Sequence, residues 1–179
     1  MRYRMGDETS DDLLQRLRRL GCRGAIVGPK GTGKTTLLED LEPPLAELGF
    51  NVKRLRLDDR MSSFPRGFLR RFFAQLTLSD VILFDGAERL NRLAWHRFKQ
   101  QSRKAGGLVI TSHRPGMLRT LKECFTTADL LNEILIDLLE AEPGTTRDAA
   151  VELHQKHNGN LRDALRDMYD LYAGMAKPG

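Results

Sequence analysis

The residues best suited to chemistry lie between positions 25 and 41, in "AIVGPKGTGKTTLLEDL". Glycines let a backbone curl so that successive N–H groups point into one concave nest, which favours a bound phosphate. Lys34 adds a positive charge for phosphate oxygens, and the Thr35 hydroxyl adds a ligand for Mg²⁺. The spacing Gly28-x-x-x-x-Gly33-Lys34-Thr35 therefore indicates phosphate binding, and it stands between an apolar strand-like run and a leucine-rich helix, as that role requires.

This spacing is the P-loop, or Walker A motif, and it predicts a site for ATP with Mg²⁺. The sequence contains no Asn-Lys-x-Asp that would specify guanine, which favours ATP over GTP. The nucleotide-binding residues predicted here are Gly28, Pro29, Lys30, Gly31, Thr32, Gly33, Lys34, Thr35 and Thr36.

A second informative segment is "DVILFDGAERL", residues 80–90. An apolar run that ends in an acid predicts a buried strand with Asp85 at its carboxyl end, where open parallel sheets bind ligands. Asp85 is therefore the Walker B candidate and, with Thr35, the predicted Mg²⁺ site. Glu88 is the next acid along the chain. If the turn at Gly86 folds back toward the phosphates, Glu88 is the base that activates water, and we favour this alternative because glycine permits such a turn. If the next helix starts immediately, Glu88 only lies in its first turn.

A third segment, "GGLVITSHRPG" at residues 106–116, repeats the scheme of a buried strand with a polar tip. Thr111, Ser112 and His113 stand at that tip, where a side chain can sense a γ-phosphate or position the attacking water. His113 is equally compatible with an ordinary turn. The predicted catalytic residues are Lys34, Glu88, Ser112 and His113.

These segments require a parallel sheet with flanking helices. The pattern predicts a helix over residues 10–20 with Ser10 as its N-cap, and a helix from Gly33 that ends near Glu42 because Pro43-Pro44 disfavours its continuation. The further predicted strands cover residues 23–27, 51–57 and, less clearly, 118–126, and the further helices cover residues 127–140, 145–157 and 160–173.

The segment "RGFLRRFFAQL", residues 66–76, has phenylalanines and leucines on one helical face and arginines toward the other. Two interpretations are open. An aromatic and basic cluster can form a nucleic-acid platform, but a core helix with a solvated arginine face is the more common case.

From about Gly24 to the C-terminus the chain resembles the additional-strand P-loop ATPases, nearest to the AAA+ type of replication initiators and clamp loaders. The resemblance rests on the Walker A and Walker B segments, on the strand tip at Thr111 or Ser112, and on "HNGNLRDALRDM". It implies a three-layer α/β P-loop NTPase fold with a five-stranded, mostly parallel sheet of order 5-1-4-3-2. It also implies a nucleotide-binding core at residues 1–126, a helical lid at residues 127–179, and a lid arginine, Arg162, that reaches the nucleotide.

The remaining inferences come from composition. The 179 residues carry 29 basic and 24 acidic side chains, a net charge of +5, which is compatible with a nucleic-acid partner without requiring one. Two distant cysteines, Cys22 and Cys124, fit a reducing cytoplasm, and no segment reads as a signal sequence or a membrane span. We therefore expect a nucleotide-driven ATPase switch or motor acting on a protein partner, with self-assembly left open. The alternatives are a small-molecule or nucleotide kinase and a non-catalytic ATP-binding module.

Overall fold

The computed structural model describes residues 8–58, 61, 63–142 and 144–175, and side chains as far as residue 170. Residues 1–7 belong to the N-terminal segment in which no signal sequence was found, and they lie outside the described residues. Pro143, between the helices predicted at residues 127–140 and 145–157, does so as well. The strands are β1 (Arg23–Val27), β2 (Asn51–Arg56), β3 (Asp80–Asp85), β4 (Gly107–Ser112) and β5 (Thr120–Glu123). The α-helices are α1 (Ser10–Arg19), α2 (Lys34–Asp40), α3 (Glu42–Glu47), α4 (Phe68–Ala74), α5 (Arg92–Gln101), α6 (Ala128–Leu139), α7 (Arg147–Lys156) and α8 (Leu161–Met175).

The strands form one sheet in the order β2-β3-β4-β1-β5, and every neighbouring pair is parallel. This confirms the α/β fold and the strand order that the resemblance implied. The carboxyl ends of β1, β3 and β4 therefore meet at one edge of the sheet. The phosphate-binding loop follows β1, Asp85 ends β3 and Ser112 ends β4, so the three motif segments converge there.

Helices cover the sheet because the central strands are apolar on both faces. On one face, Phe73 of α4 and Phe98 of α5 pack with alternate strand residues such as Phe84, which is fully buried. The ring centroids of Phe84 and Phe98 are 4.8 Å apart. Helix α2 packs against β1, β3 and β4, while α1 packs against β1 and β5. The result is the three-layer arrangement predicted for a parallel sheet.

One local prediction was wrong. The N-cap of α1 is Thr9 and not Ser10: the Thr9 hydroxyl accepts from the Asp12 N–H and the Asp12 carboxylate accepts from the Thr9 N–H, which forms a reciprocal capping box. The helix that follows the loop, α2, ends close to Glu42 as predicted, but the two prolines do not prevent a further helix. After α2 ends at Asp40, α3 begins with Pro43 in its first turn, where proline loses no hydrogen bond.

The segment at residues 66–76 contains α4 (Phe68–Ala74), whose apolar residues pack inward. Phe73 is buried, and Phe68 and Phe72 are partly buried against the same core. Arg66 and Arg70 are exposed. This packing favours the interpretation of a core helix with a solvated basic face.

The chain divides into two compact units. The first holds the sheet and includes Lys34–Glu123, while the second combines the loop Pro29–Gly33 with the residues that follow Glu123. In the second unit α6, α7 and α8 share a small core that includes Leu131, Leu153 and Leu161. Among the described residues, no helix combines the length and the apolar character that a membrane crossing needs.

Candidate functional site

The loop predicted to bind phosphate has the backbone geometry that its glycines predict. Gly31 and Gly33 adopt φ angles of +80° and +82°, in the left-handed region where a side chain would be strained. The buried Thr32 hydroxyl donates to the Pro29 carbonyl at 2.9 Å, which holds the turn from within. Lys34 begins α2 directly after the loop and is itself buried. Tight turns of this kind align N–H groups toward one point and so form anion sites.

Asp85 lies between two threonine hydroxyls. Thr35 Oγ1 donates to Asp85 Oδ2 at 3.0 Å, and Thr111 Oγ1 donates to Asp85 Oδ1 at 2.7 Å. Thr35 comes from the first turn of α2 and Thr111 from β4, so the carboxylate is held from both sides. The structure therefore brings together the two residues predicted to bind Mg²⁺.

Sequence reasoning left the strand-tip residue undecided between Thr111 and Ser112. The structure places Thr111 against Asp85, whereas the Ser112 hydroxyl donates to the Arg114 carbonyl at 2.7 Å. Successive side chains of a strand point to opposite faces, so only one of these two neighbours can face Asp85. Of the two, Thr111 makes the contact with the Asp85 carboxylate.

Gly86 forms a sharp turn directly after Asp85. Its φ angle is +83°, and a Cβ at this position would overlap the Leu57 carbonyl oxygen and lie 3.3 Å from the Leu57 carbonyl carbon. Its N–H donates to Thr111 Oγ1 at 2.8 Å. No side chain fits here without displacing the backbone, so an acid that serves the site must come from further along the chain.

Glu88 is that next acid, and it lies in a 3-10 turn at Ala87–Arg89. Its Oε1 lies 3.4 Å from Nε2 of His113, which follows β4. Its Oε2 is buried and has no hydrogen-bond partner among the described residues. Two residues predicted to be catalytic are therefore neighbours, and Glu88 retains a free acceptor atom.

Arg56 is a neighbour of Asp85 that the sequence analysis missed. It pairs in register with Asp85 across β2 and β3, and its Nε lies 3.8 Å from Asp85 Oδ2. The side chain is largely exposed. Only the sheet register reveals this proximity, because an arginine in an edge strand carries no motif of its own.

Thr36 is partly exposed on α2. Arg162 lies in the first turn of α8 in the second unit and is exposed. Among the described residues there is also no cluster of three or more acids, histidines and cysteines that would hold a metal alone.

Comparison with known proteins identifies the fold. No protein-family model matches the chain, and no curated protein matches it. Among solved structures, a variant of Thermotoga maritima RuvB matches with a TM-score of 0.56 and 24% identity over 90% of the chain. Domain III of the Thermotoga maritima replication initiation protein DnaA matches with a TM-score of 0.61 and 16% sequence identity over 94% of the chain. A DNA replication initiation factor matches with a TM-score of 0.59 and 16% sequence identity over 91% of the chain.

The chain spans 60% of the length of the RuvB structure and 59% of the initiation factor, but 85% of the DnaA domain. RuvB and DnaA are AAA+ P-loop ATPases. At these identities the likeness concerns the fold, and the chain has an AAA+-like P-loop NTPase fold.

Proposed function

We propose that the chain binds ATP with Mg²⁺ at the loop of residues 28–36 and hydrolyses it, as a nucleotide-driven switch on a macromolecular partner. The observation that carries this proposal is the Asp85 carboxylate held between the hydroxyls of Thr35 and Thr111, at 3.0 and 2.7 Å. A loop with phosphate-binding geometry precedes Thr35, and the fold is that of ATPases. A loop, a hydroxyl and a carboxylate in this order are what a nucleoside triphosphate and its metal require.

The donor set fits Mg²⁺. Magnesium prefers oxygen ligands and usually binds to proteins through one or two side chains together with substrate phosphates. Thr35 and Asp85 supply such oxygens from neighbouring elements. When bound, the ion neutralises charge on the β- and γ-phosphates.

The other residues of the site have separate roles in hydrolysis. Lys34 contributes a positive charge to the phosphate oxygens, and the loop N–H groups bind the phosphates. Glu88 accepts the proton of the attacking water, for which Oε2 is the available atom. His113 holds the other oxygen of the same carboxylate and thereby orients it.

The C-terminal helices act as a lid in this proposal, with residues 1–126 as the nucleotide-binding core and residues 127–179 as the lid. Arg162, exposed in the first turn of α8, is the residue we assign to the phosphates from the lid side. The test is the affinity of Arg162→Ala for ATP and for ADP: a phosphate contact predicts a larger loss for ATP, and equal losses contradict the assignment.

The partner we propose is a nucleic acid or a protein bound to one. Two of the matched structures are of replication initiation proteins, and this chain has a net charge of +5. Arg70 on α4 and Arg66 just before it are exposed, and a solvated basic face of this kind can contact phosphates. Binding of a DNA duplex and of a single strand with and without ATP, across a salt series, tests this, because charge-driven binding weakens as salt rises. Size measurement in the same solutions tests self-assembly.

One experiment separates the proposed activity from its two rivals. The protein is incubated with Mg²⁺ and ATP labelled on the γ-phosphate, and the label is followed. Release as inorganic phosphate supports an ATPase, whereas transfer to an added acceptor indicates a kinase. Bound and unchanged ATP indicates a non-catalytic module and contradicts hydrolysis.

A further inference from the structure

Asn160 lies directly against the phosphate-binding loop. A Cβ built on Gly31 would overlap the Asn160 side-chain oxygen and would lie 3.1 Å from the Asn160 Cα atom. The approach is therefore so close that only glycine is accommodated at position 31. The φ angle of +80° at Gly31 restricts the position independently.

Asn160 is also the N-cap of α8. Its Oδ1 accepts from the Asp163 N–H at 3.3 Å, and its Nδ2 donates to the Asp163 carboxylate at 2.5 Å. Arg162 lies between these two residues in the first turn of the helix. A single side chain thus touches the loop and fixes the start of the helix that carries Arg162.

Contacts with Thr126 stabilise the turn that precedes Asn160. Gly159 has a φ angle of +76°, and its carbonyl accepts from the Thr126 hydroxyl at 2.6 Å. His154 Nε2 lies 3.1 Å from the Thr126 carbonyl oxygen. The turn that places Asn160 against Gly31 is therefore held by hydrogen bonds. The loop Pro29–Gly33 belongs to the same compact unit as the C-terminal residues.

We propose that Asn160 is a positioning residue that holds the loop in its phosphate-binding conformation and couples the loop to the first turn of α8. This inference rests on the proposed function, since it concerns the same ATP site. A glycine-rich loop has many conformations of similar energy, and a ligand must otherwise meet the cost of ordering it. The Asn160 contact restricts the loop before the nucleotide arrives.

The substitution Asn160→Ser separates this role from helix capping. Serine caps a helix about as well as asparagine does, so α8 should keep its first turn. The serine side chain is too short to replace the amide against Gly31. Asn91→Ser is the matched control, because Asn91 caps α5 in the sheet unit, where its Oδ1 accepts from the Ala94 N–H at 2.8 Å.

Two quantities are measured for wild type, Asn160→Ser and Asn91→Ser: the ATP dissociation constant by calorimetry, and amide hydrogen exchange of residues 29–33 without nucleotide. For Asn160→Ser we expect binding weaker by about tenfold, within the coupling range of neighbouring residues, and faster exchange in the loop. Its melting temperature should move by less than about 2 °C. Asn91→Ser should leave both quantities at their wild-type values.

Wild-type affinity and wild-type loop exchange in Asn160→Ser would overturn the proposal. Faster exchange confined to α8, with the loop unaffected, would overturn it as well, because capping alone explains that result. If the wild type binds no ATP, the proposed function fails, and the exchange of the nucleotide-free loop still decides whether Asn160 restrains it.

Discussion

Glu88 Oε1 lies 3.4 Å from Nε2 of His113, so the acid that follows the Walker B strand faces the tip of the neighbouring strand β4. If Glu88 is the general base, Glu88→Gln should slow single-turnover hydrolysis at saturating ATP by about 10²–10⁴-fold, because the amide cannot accept the proton. ATP affinity should change little. Glu47→Gln, an exposed acid of α3, is the control. A Glu88→Gln rate within a factor of about two of an active wild type would remove Glu88 from the mechanism.

Replacing Gly86 with alanine should lower the free energy of unfolding more than the same change does at an open glycine. Gly49 and Gly86 have nearly equal φ angles, +84° and +83°, but a Cβ at Gly49 meets open space while one at Gly86 overlaps the Leu57 carbonyl. Gly49→Ala should destabilise the protein by the backbone strain alone, about 1–2 kcal/mol. Gly86→Ala should cost clearly more in urea unfolding. Equal losses would show that the approach to Leu57 does not constrain the turn.

Thr111 should be hard to replace, because its hydroxyl accepts from the Gly86 N–H and donates to Asp85. Thr111→Val keeps the shape but leaves a buried N–H without its acceptor, which costs about 1–3 kcal/mol of unfolding free energy. Thr111→Ser retains the hydroxyl and should lose much less. Comparable losses for the two variants in urea unfolding would contradict a hydrogen-bonding role.

Asp80, at the start of β3, gives a pH-dependent prediction. Burial alone would raise the pKa of its carboxyl, but hydrogen bonds from the Thr77 N–H and hydroxyl, at 2.6 and 2.9 Å, and the nearby Lys53 ammonium lower that pKa below its ordinary value. A lowered folded-state pKa stabilises the protein above the unfolded value of about 3.9, and this stability is lost as the pH falls through the folded pKa.

The measurement is urea unfolding from pH 6 downward, compared with Asp80→Asn. The variant should be less stable than wild type near neutral pH, and the difference should shrink in acid as the Asp80 carboxylate of the wild type is protonated. Asp170→Asn, on the exposed part of α8, is the control. A difference between wild type and Asp80→Asn that stays constant down to pH 2 would contradict the assignment.

The sheet and its motif positions could be predicted because both depend on local sequence. The apolar runs at β1, β3 and β4 each precede a motif residue, and a parallel sheet necessarily brings their carboxyl ends together. The strand order came from the resemblance and not from periodicity. It is the order that the structure confirms.

The rest depends on contacts between distant parts of the chain. The closeness of Arg56 to Asp85 follows from the register of two strands, and the approach of Asn160 to Gly31 joins residues far apart in the sequence. Thr9 and Ser10 are both good N-cap residues, and only the reciprocal bonds with Asp12 distinguish them. This last contact is local, since it joins residues three positions apart, and it decides between two neighbours of similar capping propensity.

If the loop at residues 28–36 is an ATP site, calorimetric titration of ATP with Mg²⁺ should distinguish wild type and Lys104→Ala from Lys34→Ala. Lys34 is the buried lysine at the start of α2, whereas Lys104 is an exposed lysine remote from the loop in sequence. We predict saturable binding by wild type and Lys104→Ala, and binding that is lost or greatly weakened in a folded Lys34→Ala. Equal ATP affinity in wild type and Lys34→Ala would contradict the account.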